Sequence, residues 1–145
     1  MAVKAGINMA ITYDSIEDIL RCLKQKGWYC NDNGKILYTR QCDNYALQAS
    51  EYKGYNAAVR FLMKEHKISP LQAVILVKEN TNRGITLFFV GEEILIISFS
   101  KNCRKKNYGK GEFVDFPWYV DEIIMPLALR FDVEYCECSQ IGGIF

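Results

Sequence analysis

Histidine occurs once in this chain, at His66. Any Ser-His-Asp or Cys-His arrangement would have to use it. Its place near the end of an amphipathic segment suits a residue that compensates a helix dipole. A glycine-rich phosphate loop is also missing. Gly109-Lys110-Gly111 is too short and follows a strand-like run rather than opening a helix. No apolar run approaches the length needed to span a membrane. The stretch Ala5 to Tyr13 is short and mildly apolar, and no small-residue cleavage site follows it, so no secretory leader is expected. Net charge is nearly absent, at +1, and the total exerts no pull on a polyanion. Low-complexity stretches and internal repeats are absent as well.

What is present describes an ordinary globular chain. Its 145 residues match the commonest size of one domain, read here as 1–145. At 50% hydrophobic and 24% charged residues, the composition excludes intrinsic disorder. A core of that size needs no cross-links. The six cysteines, Cys22, Cys30, Cys42, Cys103, Cys136 and Cys138, are therefore expected as reduced thiols in a cytoplasmic protein.

Two short patterns bear on chemistry. Ser50 and Lys53 match the Ser-x-x-Lys spacing of some acyl-transfer enzymes, but the companion motifs are missing and the match reads as chance. Cys136-Glu137-Cys138 would put two thiols on one face of a strand. A structural zinc site wants four ligands, and the other candidates are isolated in sequence. The expectation is therefore no metal, no cofactor and no catalytic residue.

Periodicity gives the elements. Ile16, Ile19, Leu20 and Leu23 form one apolar stripe of a helix over about 15–26, with Asp14 as N-cap, Glu17 completing a capping box and Gly27 ending the helix. Trp28-Tyr29-Cys30 and Ile36-Leu37-Tyr38 flank the turn pair Asn33-Gly34 and predict an N-terminal hairpin. A second helix is predicted from Gly54 or Tyr55 to His66, with helical structure beginning as early as Asn44. Residues 73–77, 85–90 and 94–99 are three apolar runs separated by short turns, hence an antiparallel meander. Because these runs lack polar alternation, both faces of the sheet are expected to be covered. Lys101 to Gly111 reads as an exposed loop. Asp115 or Phe116 with Pro117 opens a third helix that Pro126 should interrupt, and 133–138 reads as a last strand. The fold class is thus α+β: a central antiparallel β-meander at about 73–99, an N-terminal hairpin, and about three helices packed on its faces.

Charge is split sharply along the C-terminal third. Lys101, Arg104, Lys105, Lys106 and Lys110 lie within ten residues without an acid among them. From Glu112 to Glu137, seven acids face only Arg130. This pattern, with its aromatics, favours a protein-binding module that neutralises or regulates a partner by occlusion, as toxin-immunity proteins and inhibitors do. The partner would be another protein, such as a basic toxin or nuclease. Candidate contacts are Glu112, Asp115, Asp121, Glu122 and Glu134, with Trp118 and Tyr119 as anchors. The alternative is a nucleic-acid-binding accessory protein using Lys101, Arg104, Lys105, Lys106 and Lys110, with Tyr108 stacking. A small enzyme with a cysteine nucleophile is the third reading. The cysteine assignment has a direct check: six sites should alkylate under denaturing conditions without reduction, and fewer, by intact mass, would place the protein in an oxidising compartment.

Overall fold

The computed structural model of the protein describes residues 4–109 and 111–141. Ile7, Met9 and Ile11 alternate with Asn8, Ala10 and Thr12, the period of a strand with one buried face, and they form β1 (Lys4–Thr12). This strand was not anticipated, although the alternation is visible in the sequence. Helix α1 (Ile16–Lys24) follows. Its N-cap is Ser15, whose Oγ accepts the Glu17 N–H at 3.1 Å, one residue later than the expected Asp14. Gly27 then takes the left-handed conformation that ends the segment.

The Asn33-Gly34 turn forms with both residues at positive φ. Its flanks, however, do not build a free-standing hairpin. β2 (Trp28–Tyr29) and β3 (Lys35–Arg40) lie end to end along β5 (Leu71–Lys78), and β3 takes β4 (Gln48–Glu51) as its other neighbour. A helix beginning near Asn44 is overturned, because Asn44 and Tyr45 are left-handed and β4 follows them. Helix α2 (Tyr55–Ile68) starts at Gly54, as the break there suggested.

The meander forms as expected from β5, β6 (Gly84–Val90) and β7 (Ile94–Lys101). It is the centre of an eight-stranded sheet. The strand order is β10-β1-β7-β6-β5-β3-β4, with β2 beside β5 and every pairing antiparallel. β10 (Asp132–Ile141) is one edge. The expected loop after β7 is instead a second, two-stranded sheet, β8 (Lys105–Tyr108) with β9 (Gly111–Val114).

The third helix begins at Asp115, which caps α3 (Phe116–Tyr119). A π turn (Val120–Ile124) separates it from α4 (Met125–Arg130). The interruption lies just before Pro126, which has no N–H to donate and whose ring would crowd the carbonyl four residues earlier. The Met125 N–H reaches Val120 instead. No helix among the described residues is long and apolar enough to cross a membrane.

Three helices form one layer, with α1 between α2 and α4. The residues they meet share one side of the sheet: Ile7, Met9, Val74, Leu76, Leu87, Phe89, Leu95 and Ile97. The expectation of cover on both faces is therefore corrected. Phe88, Val90 and Ile94 point the other way and are 38%, 47% and 44% exposed. Adjacent phenylalanines on β6 make the contrast measurable. Phe89→Ala should cost about 3–5 kcal/mol in urea unfolding, as truncation of a packed aromatic does. Phe88→Ala should cost about 1 kcal/mol or less. Equal costs would mean that both faces are packed.

Candidate functional site

Antiparallel register puts directly opposite residues on the same face, so the uncovered side can be read row by row. One row is Val90–Ile94–Ala10–Tyr135, crossing β6, β7, β1 and β10. The next is Thr39–Ala73–Phe88–Ile96–Asn8–Glu137. The third, Ile75–Thr86–Ser98–Gly6–Ser139, is mostly small and polar. Thr86 donates its hydroxyl to Ser100 Oγ at 2.8 Å, so this end satisfies its own polar groups. The apolar rows do not bury themselves: Tyr135 is 51% exposed, alongside Phe88, Val90 and Ile94. A contiguous apolar surface of this kind marks an interaction site more often than an isolated exposed side chain does.

The charge around it has one sign. Glu92 and Glu93 stand in the turn that joins Val90 to Ile94, at one end of the first row. Glu137 closes the second row and accepts the Tyr135 hydroxyl. The nearby carboxylate holds the Tyr135 phenol above its usual range, through this hydrogen bond first and then through burial and charge. No Lys or Arg falls in the three rows.

A groove of about 1120 Å³ continues from Phe88 and Val90 around the strand ends. Tyr13, Asp14, Tyr45, His66, Gln72 and Glu92 contribute to its lining. Burial, then Glu92, pushes the Tyr13 phenol up. Gln72 Oε1 is buried without a hydrogen-bond partner. His66 Nδ1 accepts the Leu71 backbone N–H at 3.0 Å. That bond leaves Nε2 as the protonated nitrogen of the neutral ring.

The residues expected at a docking surface behave differently. Tyr119 is fully buried, stacked on Phe99 at 3.9 Å between ring centres. Its hydroxyl oxygen accepts the Arg104 N–H at 2.9 Å, and burial pushes its phenol well up. Asp115 is only 3% exposed and caps α3. Both are corrected from surface contacts to structural residues, because the helix that carries them turns them toward the core. Glu112 pairs with Lys105 at 3.4 Å and Glu122 with Lys78 at 2.5 Å. Trp118 is half-buried, with Arg83 and Arg104 over its ring at 5.3 and 5.1 Å. Asp121 and Glu134 are exposed.

The basic run is equally engaged. Lys101 pairs with Asp32 at 2.7 Å, Arg104 with Asp115 at 2.9 Å, and Lys106 with Asp115 at 3.5 Å. The Tyr108 side chain and Lys110 lie outside the described residues. Of the remaining sequence candidates, Ser50 stands on β4 opposite Ile36, and Lys53 lies 3.8 Å from Glu51. All six cysteines are free thiols. Among the described residues, no group of three or more His, Cys, Asp or Glu is placed to hold a metal ion.

The open face was within reach of sequence reasoning. The meander strands and β10 are legible in the sequence and β1 is not, and continuous apolarity was equated with cover from the chain itself. No family model, curated protein or solved structure matches this chain.

Asp115 supplies a pH test of the charge clamp. Burial alone would raise its carboxyl, but hydrogen bonds from Arg104 and the Trp118 N–H, with Lys106, outweigh that and hold it below the usual range. A lowered carboxyl stabilises the fold above the ordinary carboxylate value, about 3.9, and that contribution fades as pH falls through the lowered one. Asp115→Asn should therefore cost about 1–3 kcal/mol at neutral pH. Its stability should converge on that of the native protein in acid. A constant gap down to low pH would remove the charge from the explanation.

Proposed function

We propose that the protein is a binding module that docks another protein on the open face of its sheet and acts by occlusion rather than by catalysis. The observation that supports this reading is the row Val90–Ile94–Ala10–Tyr135 with Phe88 beside it, apolar, contiguous and uncovered by any described element. Fully burying one side chain of the Val, Ile or Phe type contributes about 1.5–3 kcal/mol. These side chains are already about half buried, so covering them supplies part of the association free energy and polar contacts at the rim must supply the rest.

The acids at Glu92, Glu93 and Glu137 favour a partner whose rim is basic. Such charges act on encounter rate and orientation more than on affinity. A basic toxin or nuclease held inactive in the cytoplasm fits these requirements as a class, with the immunity-type role that the sequence suggested. The docking surface is thus moved from the acidic helix, whose charges are largely paired internally, to the sheet. The nucleic-acid alternative loses support for the same reason, since Lys101, Arg104, Lys105 and Lys106 all have carboxylate partners.

The test begins with capture of partners by the full chain from its source cells, followed by binding kinetics with the purified pair. Replacing Phe88, Val90 and Ile94 together by Ser should leave the fold intact by thermal melt. It should weaken binding by on the order of 100-fold or more, mainly through faster dissociation. Glu92→Gln with Glu93→Gln should slow association and flatten its salt dependence. Unchanged binding by the triple variant overturns the open face as the site. If Asp121→Asn with Glu122→Gln abolishes binding instead, the helix surface is the site. Loss of nucleic-acid binding on removing Lys105 and Lys106 would identify the basic hairpin.

A further inference from the structure

Cys136 and Cys138 lie two residues apart on the edge strand β10, opposite Met9 and Ile7 of β1. Strand alternation therefore aims both thiols to one side, away from Tyr135 and Glu137. Both are exposed, unlike the buried Cys22 and Cys30. Residues two apart on a strand stand about 6.8 Å from one another, a span that a single atom bridging their two sulfurs can close. Burial pushes both thiols above their usual range.

Two thiols on one side of a strand, with no third His, Cys, Asp or Glu beside them among the described residues, define a narrow chemistry. Zinc requires four donors, and no third His, Cys, Asp or Glu joins the pair among the described residues. A disulfide needs Cβ atoms about 3.5–4.5 Å apart, closer than residues i and i+2 stand on an extended strand. Monovalent copper is soft, selects thiolate sulfur, and is satisfied by two donors in line.

We propose that Cys136 and Cys138 form a two-coordinate site for Cu(I), held across the face of β10 opposite to the docking rows. The step exchanges protons for metal. Each S–H bond breaks, two S–Cu bonds form, and two protons pass to solvent, with no change in the oxidation state of copper or sulfur. The proposal is independent of the docking reading, because strand alternation separates the two sets of side chains.

The test uses the full, reduced chain under anaerobic conditions, with Cu(I) supplied from a complex with bicinchoninate. The chain should withdraw one Cu(I) from the chelator and release the two thiol protons. Cys136→Ser and Cys138→Ser should each weaken retention by on the order of 100-fold, since one thiol cannot chelate. Cys42→Ser with Cys103→Ser should leave it unchanged, and added Zn²⁺ should not displace the copper. Copper absorption-edge spectra should show two sulfur neighbours. Retention by either single variant, displacement by zinc, or a shell of three or four ligands would each overturn the site. The edge spectrum decides the matter even if a serine variant loses its fold.

Discussion

A sheet whose strand path is seven wide spans about 29 Å at the usual inter-strand spacing. Helices of about 10 Å diameter, laid side by side, cover about 30 Å when there are three of them. This chain makes three, counting the interrupted segment through α3 and α4 as one. The helical complement therefore suffices for one face and leaves nothing for the other. The choice of face follows from side-chain size. Ile, Leu, Met and Phe supply most of the covered side of β1, β6 and β7, while Ser, Thr and Gly are admitted only on the other. The open face is consequently a by-product of the core, and its apolar residues are the part that the core does not explain.

Charge follows a similar economy. Read along the chain, the basic and acidic blocks look like two opposed surfaces. Read in space, they are the two arms of β8–β9 and the cap of the following helix. Antiparallel pairing brings Lys105 within reach of Glu112, while Asp115, just past β9, gathers Arg104 and Lys106. Such a buried carboxylate would be costly alone and is sustained by two cations and the α3 cap. Gln140 fixes the small sheet to β10, donating to the Glu112 carbonyl and accepting the Val114 N–H. The charged segment thus serves chiefly as internal structure, which leaves the acids of the β6–β7 turn as the more available electrostatic feature.

These outcomes show what a sequence can and cannot disclose. The meander, α1 and the break at Pro126 were legible because each depends on neighbours within a few residues. β1 was harder: its alternation is visible, but its partners β7 and β10 lie far along the chain, and no local signal calls for them. β4 was lost to a helical reading because Gln48–Glu51 lacks strand-forming residues and is held only by β3. At the candidate site, the exposed residues Val90 and Ile94 were read correctly as apolar strand positions. Hydrophobic pattern reports that a residue favours cover, and it is silent on whether the cover belongs to the same chain.

β10 carries this reasoning to its last step. Its two-residue period assigns Tyr135 and Glu137 to the open face and Cys136 and Cys138 to the side that carries the helices, where both thiols are exposed. An edge strand normally needs charge or irregularity to discourage pairing with other chains. Here Asp132, Glu134 and Glu137 supply the charge, and the register shift opposite Ala10 and Ile11 supplies the irregularity. Those features protect the backbone edge while leaving both side-chain faces accessible. A partner that covers the open face would sit against Tyr135 without touching the thiols. A metal on the thiols would stiffen the strand without altering the rows. The alternation that makes a strand amphipathic would thus let one edge strand serve the two proposed chemistries independently.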